Sequence, residues 1–271
     1  MAIANEPAFG RMFPPYVTIS FWDMWLMIRP AGLALRKIRS YFCLFLLGTT
    51  LFGLFGLRAS SRTQVPGKLN LDYVLSMMDH SAEDFKSLTA AIDHIKYTAV
   101  VQDTSTETGE IFVRKDSKVR IDFQTPDPRT IIRNGDNLYI YTPKINRVEE
   151  YNIGKNRAMV DQYLALGFGT RVESLRKNYS ITLTGEEELD GHKAAVLELI
   201  PKSDEQKKQI SKVVMWVDES SWLPVQQKFI EAGSGDYVTS RYTKVMKNLK
   251  LGDGKFKPDW PKGTKVEKPR G

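Results

Sequence analysis

Cysteine is almost absent. The 271 residues contain one, Cys43, and it lies near the start of an apolar run rather than after it. That position excludes the lipid-modified cysteine of a lipoprotein signal. Outside the run there is no disulfide, no thiolate metal site and no cysteine nucleophile, a composition that suits an oxidising compartment without depending on one. Histidine is nearly as scarce. His80, His94 and His192 fall near a helix break, at a helix end and in the turn "DGHK". A zinc site requires two or three histidines at fixed spacing, so these read as surface residues and no metal ligands are expected. Neither GxSxG nor a phosphate loop occurs. "GFGT" (167–170) lacks the third glycine and the preceding strand of a dinucleotide site, and reads as a hinge. Glu186, Glu187 and Glu188 are consecutive on a strand, so their carboxylates alternate between faces and do not converge on a cation. No catalytic residue and no cofactor is expected.

Strong charge of one sign is also missing. The formal net charge is +7, and residues 1–61 hold six basic and two acidic side chains, which leaves +3 for the rest. Nucleic-acid binding favours concentrated basic patches, and the aromatic-basic stretch "LYIYTPKINR" is followed at once by Glu149 and Glu150. No nucleic-acid partner is expected.

What is present begins with an address. "RKIRS" (36–40) is basic, "YFCLFLLGTTLFGLFGL" (41–57) is an unbroken apolar run, and "ASS" (59–61) supplies small residues for a cut after Ser61. This is the layout of a secretory signal. Seventeen apolar residues also approach the length that spans a bilayer, so an uncleaved anchor is the alternative. Residues 1–61 are therefore read as an extension plus signal or anchor, 62–68 as a tether, and 69–271 as the folded domain. The expected location is the periplasm, with tethering to the inner membrane if the segment is kept.

Residues 69–94 carry apolar side chains at three- and four-residue steps (Leu71, Val74, Leu75, Met78, then Phe85, Leu88, Ile92), with Ser81 three before Asp84 as a second helix start. From there the period becomes two. Strand-like stretches are 96–104, 109–116, 118–124, 129–135, 137–143 and 147–153, then 180–189, 193–201, 212–219, 223–231 and 237–248. Their short links, Asn134-Gly135 among them, suit an antiparallel meander. Two short helices are expected between the groups, over 154–179, with the stripe Met159, Tyr163, Leu164, Leu166 and Phe168. The fold class is mainly β (α+β), with ten or eleven strands and a few helices. So long a sheet tends to curl, and a curled sheet that does not fill its own concavity is an apolar binding site. For any one of these residues, packing in an ordinary core is the simpler expectation.

Three stretches resemble the periplasmic lipoprotein-carrier (LolA-like) family, over roughly residues 69–267. They are "GEIFVRKDSKVRIDFQTPDPRTIIRNGDNLYIYTP" (109–143), "VDQYLALG" (160–167) and "GKFKPDWPKGTKVEK" (254–268). The resemblance implies a half-open antiparallel β-barrel of about eleven strands with a lid of α-helices on the concave side. It implies a monomeric, non-enzymatic carrier of lipoprotein acyl chains or phospholipid, served by an inner-membrane ABC transporter and an outer-membrane acceptor. A related fold implies the alternative, a lipid-sensing regulator of an envelope stress response. Lipid-binding residues expected on this basis are Val119, Ile121, Phe123, Leu138, Ile140, Met159, Tyr163, Leu164, Leu166, Phe168 and Val225. The family's lid-holding arginine aligns with Lys115, with Arg114 adjacent, and Gly167 and Gly169 are the expected hinge.

Overall fold

Helix α1 (Leu71–Glu83) opens the fold because Asn70 caps it, its side-chain oxygen accepting from the Tyr73 N–H at 2.9 Å. The computed structural model describes residues 69–154 and 157–269; the expected extension (1–61) and tether (62–68) lie outside the described residues. The helix ends earlier than its periodicity suggests. Residues Ser87–Thr98 form strand β1, so the helical reading as far as His94 is corrected. Phe85, Leu88 and Ile92 satisfy a helical step, but Leu88, Ala90, Ile92 and His94 alternate, and Ser87 and Thr89 between them are buried too. A central strand covered on both faces loses the polar half of its pattern. Ser81 does not cap a second helix. It lies within α1 and donates to the Ser221 carbonyl at 3.0 Å.

Strands β2 (Asp103–Arg114), β3 (Lys118–Thr125), β4 (Arg129–Asn134), β5 (Asn137–Thr142) and β6 (Arg147–Asn152) follow as a meander. Residues 99–101, read as part of a strand, form a 3-10 turn between β1 and β2. Helices α2 (Arg157–Ala165) and α3 (Val172–Asn178) come next. A second meander holds β7 (Tyr179–Leu189), β8 (His192–Pro201), β9 (Ile210–Asp218), β10 (Pro224–Glu231) and β11 (Tyr237–Lys247), with a single helical turn, α4 (Asp204–Lys207), before β9. Strand β12 (Lys265–Glu267) closes the chain.

The twelve strands of the described residues form one sheet, in the order β12-β6-β5-β4-β3-β2-β1-β11-β10-β9-β8-β7. The two meanders join where β1 pairs with β11, and only β12, added to β6, runs parallel to its neighbour. The edges β12 and β7 do not pair with each other, so the barrel is open. That topology places α2 and α3 on the connection from one end of the sheet to the other, and they make it across the concave face. Beneath α2 the β1–β5 half holds one apolar cluster; beneath α1 and α3 the β7–β10 half holds a second. On the outer face the segment after β11 lies along β3 and β4, with Phe256 fully buried.

Candidate functional site: the concave face and its lid

The strand register builds the concave face from the alternation itself. Ile111, Ile121, Ile131 and Ile140 are direct cross-strand partners on β2, β3, β4 and β5, with Ala90 continuing the row on β1. A flanking row runs from Val113 through Val119 and Arg133 to Leu138. Val160, Leu164 and Phe168, from α2 and the loop after it, cover these rows. Little space remains between sheet and lid: a cavity of about 20 Å³, bordered by Ile121, Phe123, Ile131, Tyr163 and Leu164.

One end of the concave face is polar and nevertheless buried. Arg129 donates to both Glu107 oxygens, at 2.5 and 2.6 Å, and its guanidinium lies 4.5 Å from the centre of the Phe123 ring. Such a pair is a directed, two-toothed contact, and burial makes it a determinant of arrangement more than of net stability. Burial pushes the Glu107 carboxyl up, against the opposing pull of Arg129. His94 sits beside this pair, its Nδ1 3.2 Å from the Ser240 hydroxyl. Burial, with Arg129 adding to it, pushes the His94 imidazole down to about 3. The expectation of a surface histidine is therefore corrected: His94 is buried and neutral. Burial also pushes the Tyr163 and Tyr242 phenols up.

Polar contacts fasten the lid at its start, where Arg157 pairs with Asp136 at 2.5 Å on the surface, at its middle and just beyond its end. Arg133 on β4, with a side chain 1% exposed, places Nη2 2.8 Å from Asp161 Oδ1 on α2, at an angle that makes an ion pair rather than a directed hydrogen bond. Desolvation pushes the Arg133 guanidinium down and the Asp161 carboxyl up. Beyond α2, the buried amide of Gln227 on β10 donates to the Leu166 carbonyl at 2.5 Å and its oxygen accepts from the Tyr242 hydroxyl at 3.1 Å. α3 is tied to α1 instead: Asp79 accepts from the Val172 N–H at 2.9 Å and from Arg171 at 2.6 Å.

The expected site residues sort accordingly. Val119, Ile121, Phe123, Leu138, Ile140, Leu164 and Phe168 share one cluster, with Tyr163 packed against it. Leu166 faces the neighbouring cluster with Leu197 and Met215. The side chain of Met159 lies outside the described residues. Val225 does not join the face: a register shift between Pro224 and Gln226 turns it to the outer side, against Trp216 and Val196. The lid-gating assignment to Arg114 and Lys115 is also corrected. Arg114 points outward to Asp116, Asp253 and the Leu251 carbonyl, and Lys115 sits in the β2–β3 turn with Nζ 3.5 Å from the Glu83 carbonyl. Both lie on the wrong parity or outside the strand. Gly167 and Gly169 adopt φ of +80° and +65°, and a methyl on them would overlap Pro224 and Phe85 respectively, so close packing as well as backbone freedom demands glycine.

Arg133, Gln227, His94 and the Glu107–Arg129 pair were not anticipated. Their sequence signal was a polar residue in a position that alternation assigns to the apolar face, as with Gln227 two residues before Phe229. Among the described residues no group of three or more His, Cys, Asp or Glu could hold a metal, and no helix is long and apolar enough to cross a membrane.

A family model described as "Uncharacterized protein" matches residues 115–252, from the β2–β3 turn to just past β11. The chain belongs to that family. An uncharacterized protein of Methanocaldococcus jannaschii is 27% identical over 217 residues, which cover 80% of this chain; the chain spans 58% of that relative's length. An uncharacterized conserved protein from Thermus thermophilus has 10% identity and a TM-score of 0.48, covering 73% of this chain and 98% of that one. A LolA superfamily protein from Nitrosomonas europaea has 15% identity and a TM-score of 0.38, covering 70% and 98%. The open, largely antiparallel sheet of twelve described strands, with helices across its concave side, agrees with the half-open barrel of about eleven strands expected from the sequence.

Proposed function

We propose that the chain is a carrier that encloses acyl chains, of lipoproteins or of phospholipid, between the concave face and α2. The observation that supports this most directly is how the apolar face is covered. Its rows of isoleucine, valine and leucine are sealed by one nine-residue helix held through two ion pairs, one of them half exposed, and a single side-chain amide. Lifting that helix exposes a continuous apolar surface without breaking a strand. Each buried CH₂ of an incoming chain returns about 0.8 kcal/mol, which offsets the lost contacts of the lid. The polar end at Arg129, Glu107 and His94 then lies where an acyl ester or head group would otherwise meet bare hydrocarbon. By this reading the chain works in the periplasm, takes cargo from an inner-membrane ABC transporter and hands it to an outer-membrane acceptor.

Native mass spectrometry of the purified full chain, with lipid extraction, tests the proposal. Bound acyl-chain ligand is expected, and Ile121→Glu should lower the bound fraction at least about tenfold while the fold persists. Binding of neither phospholipid nor lipopeptide overturns it, as does a fully occupied Ile121→Glu variant. Complete unfolding of that variant would mark the face as an obligatory core.

A further inference from the structure

A larger cavity lies at one end of the sheet, between β10 and β11. β10 and β11 are paired only from Gln226↔Arg241 to Ile230↔Tyr237. Beyond Arg241, β11 follows β1 alone as far as Lys247, and the two strands part. Where they part is a cleft of about 370 Å³, within the range of small-ligand sites, about 300–1,000 Å³. Leu223, Val225, Tyr242 and Val245 give it an apolar lining, and the β7–β8 turn bridges it, with Asp190 paired to Arg241. Leu223 and Tyr242 belong to the concave cluster as well, so the cleft reaches the back of that core.

Its rim carries three cations, Arg241, Lys244 and Lys247, and two acids, Asp190 and Asp218. Arg241 is matched by Asp190 and Lys247 by Asp84, whereas Lys244 has no carboxylate within ion-pair distance among the described residues. The remaining acid, Asp218, keeps its charge, and that charge is met locally by the Ser220 hydroxyl and by the Ser221 hydroxyl and N–H, whose hydrogen bonds outweigh its burial. Lys244 also stands on the irregular step of β11 opposite Thr89 and Ala91, with φ of +52°. A bulge of this kind aims a side chain away from the ladder, and for a lysine the left-handed conformation is costly.

We propose that this cleft binds a single-chain anionic amphiphile, its alkyl chain against Val225, Leu223 and Val245 and its acidic head at Lys244. The site shares Leu223 and Tyr242 with the concave cluster but lies outside the rows that α2 covers, and it does not depend on the carrier reading. The test is photolabelling of the full chain with a diazirine-bearing dodecanoate below its micellar concentration, followed by peptide mapping and titration. Label is expected on Leu223–Val225 and Thr243–Lys247. Lys244→Glu, at an exposed position, should weaken binding about tenfold, Val225→Trp should fill the cleft and abolish the label, and Ile121→Glu should leave it unchanged. Tighter binding of a lysophospholipid than of dodecanoate would support the site and name a lipid head group as its source; the reverse would name free fatty acid. Label confined to the concave face overturns this inference while leaving the carrier reading intact. Equal binding of uncharged monolauroylglycerol, or indifference to Lys244→Glu, also overturns it.

Discussion

His94 shows how much a single buried side chain decides. It is 7% exposed, tilted against Phe123 at 5.6 Å between ring centres, and paired with Ser240. In the unfolded chain its imidazole titrates near the ordinary 6.5; in the fold, near 3. Between those values the unfolded state binds more protons, so stability falls as pH falls, with the full loss reached below the folded value. The slope for one such group is at most about 1.4 kcal/mol per pH unit. Glu107, pushed up, acts with the opposite sign: its contribution is lost as pH rises through its folded value. Comparing the parent with His94→Gln cancels that second effect. Urea unfolding from pH 7 to pH 4.5 should therefore show a shallower decline in the variant than in the parent. Parallel declines would mean that His94 is protonated in the folded state.

At the level of elements, the lid is where the sequence was least legible. The strands could be read because Val119, Ile121 and Phe123 alternate with Arg120 and Asp122, and the row of isoleucines follows from that parity. Helix α2 could be placed, and so could the glycine pair that ends it. Its fastening could not be read, because Arg133 and Asp161 are 28 residues apart in a chain rich in both residue types, and only the register puts Arg133 on the inner parity of β4. The β1 error has a related cause: burial on both faces removed the alternation that would have announced a strand. Asp161→Asn tests the fastening. It leaves the buried guanidinium of Arg133 with the Ser117 carbonyl as its remaining partner, at a cost of about 1 kcal/mol because Asp161 is itself partly exposed. Amide exchange over 157–170 should quicken about fivefold to tenfold, with β2 and β3 unaffected. Uniform protection in the variant would show that α2 is held without the Arg133–Asp161 pair, by apolar contact and the contacts of Gln227 and Arg157.

For the molecule as a whole, the two faces of the sheet have different covers, and the covers should fail independently. Inside lies the lid; outside lies the strap that follows β11. Phe256 is fully buried over β3 and β4, Arg114 sits 5.2 Å from its ring centre, Lys255 lies 3.5 Å from that of Phe112, and Trp260 packs on Tyr141 at 5.0 Å. The strap ends by adding β12 to β6, which also covers an edge that would otherwise offer free backbone groups. Arg114 therefore has a structural task of its own, anchoring Asp253 and the Leu251 carbonyl from the outer side. Phe256→Ala should cost about 3–5 kcal/mol in global stability, seen as a lower urea midpoint at unchanged slope. Because the strap touches the outer parity of β3 and β4 and α2 the inner, exchange in 157–170 should rise only by global unfolding, in step with the core strands. Selective loosening of α2 in Phe256→Ala would show instead that the strands transmit strain between the two faces, and that the lid and the strap are one cooperative unit.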